Sequence, residues 1–174
     1  MKAFQEFELY EYLAARKEHF QLAIPTVVTP EGKAQHFDLN SLTWNEVKFM
    51  NDDGELHEDM STIPNDKGGI YIFRVKSDLL PEIINYAIYI GRAQYNNATY
   101  SLRARCRRYH KDTRVGVRKM RNYWGEHLYI SYSTIDDNEL IVDLEKFLIS
   151  SILPVYNAQI DDVEVREARN AFHS

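Results

Sequence analysis

A mixed α/β fold is expected from the sequence on three grounds. Short runs of β-branched and aromatic residues intermix, from residue 67 onward, with stretches whose apolar residues recur at helical spacing. The turn signal Gly68-Gly69 opens the first of those runs. A hydrophobic share of 44% against 27% charged residues, over 174 residues, is enough to bury one core and too apolar for a disordered chain.

Taken in order, residues 4–20 read as an amphipathic helix, with Phe4, Phe7, Tyr10, Leu13 and Ala14 on one side and Glu8, Glu11, Lys17 and Glu18 on the other. It ends before Pro25. Residues 24–28 read as a short strand, 41–50 as a short helix or strand, and 51–67 as polar and turn-rich. A boundary near Lys67 therefore separates an N-terminal extension, 1–66, from a domain over 67–160 and a tail over 161–174. Within the domain, Ile70, Tyr71, Ile72 and Phe73 predict a buried strand over 69–75, followed by strands over 87–90 and 128–133. Helical spacing covers 99–111, 114–122 and 137–152, the last with Asp136 and Glu139 placed as an acidic capping box.

The formal net charge of −5 hides a division. Residues 1–66 hold 5 Lys/Arg against 13 Asp/Glu, whereas 67–160 hold 14 against 9. Between Arg103 and Arg121 stand nine basic residues and one acidic residue, Asp112. A solvated helix face would intersperse Glu for i,i+4 pairing, and this stretch has none, so the pattern points to a phosphate polymer. Cys106 is the only cysteine, which excludes an internal disulfide and a Cys-based zinc cluster within one chain. No run approaches the roughly 18 apolar residues that span a bilayer, and the opening residues are polar and acidic, so a cytoplasmic protein with no membrane partner is expected.

Two charges fall where apolar residues belong. Arg105 shares the i, i+3, i+4, i+7 stripe of Leu102, Cys106 and Tyr109, which should face the sheet. Glu145 sits among Ile141, Leu148, Ile149 and Ile152. A carboxylate in such a sector must be neutralised, paired or bound to a metal, and Mg²⁺ is often held by one or two carboxylates with water and phosphate oxygens completing its shell. The alternative is an ion pair between Glu145 and Arg105 with no chemistry attached.

The order of the motifs then carries a resemblance. Gly69-Ile70-Tyr71 lies in the first strand and Tyr89-Ile90-Gly91 in the second, with Arg92 directly behind. Leu102-Arg103-Ala104-Arg105 follows, with Tyr109 four residues on, then Glu145 in a helix and Asn157 twelve residues later, past Pro154. This series resembles the GIY-YIG nucleases. The resemblance implies a small three-stranded antiparallel sheet flanked by helices. It also implies that Glu145 binds Mg²⁺ or Mn²⁺, that Arg105 contacts the scissile phosphate, and that Tyr71 acts as general base or orients the attacking water. Tyr89, Tyr109 and Asn157 would support the site by hydrogen bonding, and Arg92 would help hold phosphate. Two segments depart from compact members: 72–88 is long, and 92–101 carries the insertion Tyr95-Asn96-Asn97-Ala98-Thr99-Tyr100. Both are candidates to touch substrate.

The implied activity is metal-dependent endonucleolytic hydrolysis of DNA, double-stranded for a restriction-type enzyme, which would cut as a homodimer. Arg103, Arg107, Arg108, His110, Lys111, Arg114 and Arg118 join Arg92 as expected nucleic-acid contacts. With a phenol pKa near 10, Tyr71 is a poor base unless Arg105, Arg92 and the metal stabilise its phenolate. Asp143-Leu144-Glu145-Lys146 lacks the spacing of a D/E-x-K nuclease, and the six histidines form no metal motif. Two alternatives stay open: a nucleic-acid-binding module on the same fold without catalysis, and an RNA-processing nuclease.

Overall fold

The computed structural model describes residues 26–28, 34–36, 39–76 and 85–157. The expected helix over 4–20, the start of the expected strand over 24–28 and the tail over 161–174 lie outside the described residues. The fold is mixed α/β. Strands β1 (Thr26–Val28) and β2 (Ala34–His36) form an antiparallel pair of their own. Strands β3 (Asn45–Lys48), β4 (Gly69–Lys76), β5 (Asn85–Ala93) and β6 (Leu128–Thr134) form an antiparallel sheet in the order β3-β6-β4-β5. Helices α1 (Leu102–Lys111), α2 (Val115–Trp124) and α3 (Asn138–Ile152) complete the described chain.

The sheet has four strands where three were expected. The fourth, β3, pairs with β6 from Asn45↔Tyr132 to Lys48↔Tyr129. It falls in the segment 41–50 read as a short helix or strand: of its four residues only Val47 is buried, so no alternation decides between the two or assigns it to the sheet. Residues 49–63 continue into the same core, where Phe49, Met60 and Ile63 pack with sheet residues.

Period-two alternation along β4 divides the core. Tyr71, Phe73 and Val75 face one cluster with Leu102, Cys106 and Tyr109 of α1 and Val117 and Met120 of α2. Ile70 faces the other, with Ile90, Ile135 and Ile141, Leu144, Phe147 and Leu148 of α3. Helices α1 and α3 both pack on β4 and β5. A bulge interrupts the β4–β5 ladder, since Phe73 faces Tyr89 while Arg74 faces Ala87. Ile88 is the extra residue, which lets Ile88 and Tyr89, neighbours in sequence, both join the cluster beneath α1.

Local chemistry sets the helix ends. Ser101 caps α1 by accepting from the Ala104 N–H, and at its far end the Arg121 guanidinium donates to the carbonyls of His110 and Asp112. Helix α3 is capped by Asp137, which accepts from the N–H groups of Glu139 and Leu140, not by the expected Asp136. Asp136 instead pairs with Lys67 at 2.7 Å. Leu153, at φ 52°, closes α3 in the left-handed conformation ahead of Pro154.

The strand that carries Tyr71 can start only with glycine. Gly69 has φ +153°, and a Cβ there would lie 2.0 Å from the Ser133 carbonyl oxygen on β6. Gly69→Ala should therefore lower the unfolding free energy by about 3 kcal/mol, combining backbone strain with a steric clash. A denaturant titration checks this, and an unchanged midpoint would show that the strand start relaxes freely.

Candidate active site

The pairing of β4 with β5 sets Tyr71 opposite Gly91. A Cβ at Gly91 would lie 2.4 Å from the Tyr71 hydroxyl oxygen and 2.5 Å from Cζ, so the glycine leaves the surface across which the tyrosine ring lies. Thus positioned, the wholly buried Tyr71 hydroxyl reaches the Tyr109 hydroxyl at 2.8 Å. Tyr109 donates in turn to Tyr89 at 2.9 Å. A phenol has one proton to donate, so with Tyr109 donating to Tyr89, Tyr71 must donate to Tyr109, and the Tyr89 proton is left for the cleft. Phe73 packs edge-on against Tyr109 with ring centroids 5.1 Å apart, and Tyr89 lies 5.4 Å from Tyr109, so packing as well as hydrogen bonding holds the chain of hydroxyls.

Burial, and then the neighbouring phenols Tyr109 and Tyr89, push the Tyr71 pKa well above its ordinary value. Burial likewise raises Tyr89, with a further contribution from Tyr109, and the nearby Arg105 and Arg114 work against it. Both are neutral phenols at physiological pH.

Tyr89, Arg92, Arg105, Glu145 and Asn157 all line one cleft of about 640 Å³. It straddles the edge strand β5. Tyr89 comes from the face beneath α1, whereas Arg92 shares the face of Ile90 and meets α3, where its guanidinium pairs with the Glu145 carboxylate. The Glu145 side chain is 15% exposed. Arg105 is an exposed residue on the cleft, not the inward-facing one the stripe implied, because only Leu102, Cys106 and Tyr109 of that stripe are buried. The proximity of the Tyr71 hydroxyl raises the Arg105 pKa, as do Tyr109 and Tyr89, despite an opposing desolvation effect.

Asn157 holds the edge itself. Its side-chain amide accepts from the Ile90 N–H and donates to the Ile90 carbonyl, each at 2.8 Å, and the Tyr156 N–H donates to the Ile88 carbonyl at 2.9 Å. The residues after α3 thus satisfy backbone groups of β5 that have no strand beside them. By this clamp Tyr89 and Arg92 keep their places on either side of Ile90.

The structure divides the expected nucleic-acid contacts. Arg92, Arg108 and Arg114 line the cleft, although Arg114 is also bound to Asp112 through several hydrogen bonds. Arg107 and Lys111 are exposed on α1 and Arg118 is exposed on α2. Arg103 and His110 serve the fold instead: Arg103 donates to the Ile63 carbonyl, and a ring nitrogen of His110 lies 2.9 Å from the Gly54 carbonyl oxygen. Segment 49–63, read from sequence as mostly polar loop, is what draws both inward. Lys146 and Tyr156 also line the cleft and were not singled out, although each is the immediate neighbour of a residue that was. Cys106 is buried in the core, as a small helix residue would be.

A scan against protein-family models finds none that matches the chain, and no curated protein matches it by sequence. Among the described residues no group of three or more His, Cys, Asp or Glu gathers as a metal cluster. Glu145 is the carboxylate of the cleft. A donor set of one carboxylate fits a hard cation that arrives with its own water and a phosphate oxygen, and does not fit zinc held by protein ligands alone.

The raised phenols have a consequence for stability. Tyr71 and Tyr89 hold their protons more tightly folded than unfolded, so their contribution is complete below the ordinary value of 10.0 and is lost as pH rises above it. Stability should be flat with respect to these groups up to about pH 9 and fall beyond it, more shallowly in Tyr89→Phe. Denaturant midpoints across this range measure the effect, and an equally steep fall in the variant would remove Tyr89 from it.

Proposed function

We propose that the protein is a metal-dependent endonuclease of the GIY-YIG type that hydrolyses phosphodiester bonds in DNA. One observation carries the reading: five residues spread from position 89 to position 157, each singled out by motif order, line a single cleft. Chance matches to three-residue signatures give no reason for Glu145 and Arg92, on different elements, to meet there.

The chain's own groups divide the work. Arg105 and Arg92 approach the cleft from opposite faces of β5, and together they would hold a phosphate and balance charge on its non-bridging oxygens. Tyr89 offers its free hydroxyl proton to a phosphate oxygen or to the attacking water. Behind it, Tyr109 and Tyr71 fix the direction of that hydroxyl, so Tyr71 takes an orienting role, and its burial and raised pKa weigh against a general base in direct contact with water. Glu145, whose carboxylate pairs with Arg92, would hold Mg²⁺ or Mn²⁺, and Arg92 would face the phosphate. When bound, the cation supplies Lewis-acid stabilisation and a water acidic enough to ionise near neutral pH.

This reading implies DNA as partner, a cytoplasmic location and, if both strands of a duplex are cut as in restriction, a homodimer with one cleft per subunit. No helix among the described residues is long and apolar enough to cross a membrane.

Purified protein should cut DNA with Mg²⁺ or Mn²⁺ and not in the presence of a chelator. Glu145→Gln should abolish cutting while leaving DNA affinity within a few-fold, and Arg105→Ala should lower the rate by about 10²- to 10³-fold. Full activity in Glu145→Gln would remove the cation site from the mechanism. DNA binding without cutting under all these conditions would favour the non-catalytic module. Replacing Arg107 and Lys111 by Ala should instead weaken binding and reduce its salt slope by roughly one unit for each phosphate the protein ceases to neutralise. An unchanged slope would place the polymer elsewhere on the surface.

A further inference from the structure

We propose that Tyr100 is a stacking platform for an unpaired base, so that the nucleic acid bound at this cleft carries a single-stranded segment. The inference rests on the nuclease reading for the class of polymer and deepens it by naming the state of the strand.

Tyr100 lines the cleft and is 54% exposed. It is held on a fastened turn. The Asn97 side chain accepts from the Thr99 N–H at 2.9 Å, the Tyr100 N–H donates to the Asn97 carbonyl at 2.9 Å, and Ser101 donates to the Ala98 carbonyl at 2.9 Å. Upstream, the Tyr95 N–H donates to the Asn138 side chain at the start of α3, at 3.2 Å. Arg108 reaches back from α1 to the Thr99 carbonyl, and its guanidinium carbon lies 5.8 Å from the centre of the Tyr100 ring. If the ring served only to cover the start of α1, this much bonding would be expected to bury it. More than half of the residue remains exposed, beside Arg108 and on the cleft that Arg105 also lines.

A rigid aromatic face beside cations matches what single-stranded nucleic acid requires, since every base offers a π-face and every nucleotide a phosphate. In a duplex both faces of a base are already stacked, so only an unpaired or extruded base can meet Tyr100. Arg108 would then serve twice, holding the ring and meeting the adjoining phosphate.

Binding of a single-stranded oligonucleotide carrying 2-aminopurine, measured with the full chain and a chelator present, tests this apart from cutting. The intact protein should bind it and quench its fluorescence. Tyr100→Ala should lose about tenfold in affinity, together with the quenching, while its affinity for a fully paired duplex changes less than about twofold; Tyr100→Phe should keep both. Failure of the intact protein to bind the single strand, an equal loss on strand and duplex, or a loss in Tyr100→Phe as large as in Tyr100→Ala would each overturn the proposal. Tyr100-dependent binding without cutting would support it while removing the nuclease reading. Cutting that is indifferent to Tyr100 would do the reverse.

Discussion

The close crossing of Tyr71 over Gly91 sets the position of the phenol chain that reaches the cleft. Two antiparallel strands place these residues opposite each other, and the ring needs the space that any side chain on Gly91 would fill. Because the ring lies there, its hydroxyl meets Tyr109, and through Tyr109 the chain of phenols reaches Tyr89 at the cleft. Gly69 sets the same strand at its start, pressed against the Ser133 carbonyl. The glycines of the two short motifs are thus backbone requirements and the tyrosines are the groups they position.

An edge strand is usually a liability, since it presents unpaired backbone groups to solvent. Here the edge is where the cleft forms. β5 carries Tyr89 on one face and Arg92 on the other, and Asn157 clamps the Ile90 backbone between them. The clamp also links the end of α3, the helix that bears Glu145, to the strand that bears Glu145's partner, so carboxylate and guanidinium are fixed relative to each other by the fold.

Much of this was legible in the sequence, for identifiable reasons. β4, β6 and the three helices show strong periodicity, and their observed limits fall within a few residues of the expected ones. β3 lies inside the segment 41–50, which the sequence left open between helix and strand because the strand is only four residues long with one of them buried, and the structural roles of Arg103 and His110 were hidden with it, since their partners lie in the segment that follows. Charge counting saw the basic stretch from Arg103 to Arg121 but could not see that Arg121 closes the end of α1. At the candidate site, motif order picked out Tyr89, Arg92, Arg105, Glu145 and Asn157 of the cleft lining, while Tyr71 and Tyr109, which it also picked out, lie behind Tyr89 rather than on the cleft. It did not reveal that Glu145 pairs with Arg92, because that pair joins a helix and a strand more than fifty residues apart. Nor could spacing tell that Arg105, on an apparently inward stripe, is exposed at the cleft while its head lies beside the Tyr71 hydroxyl.

In the proposed function these groups constitute one hydrolytic site that needs a divalent cation. Incubating supercoiled plasmid with the purified full chain, with Mg²⁺ or with chelator, decides whether it exists. Such a site should give nicked or linear product bearing new strand ends with the cation and intact plasmid without it. Intact plasmid in both, or equal cutting in both, would contradict it.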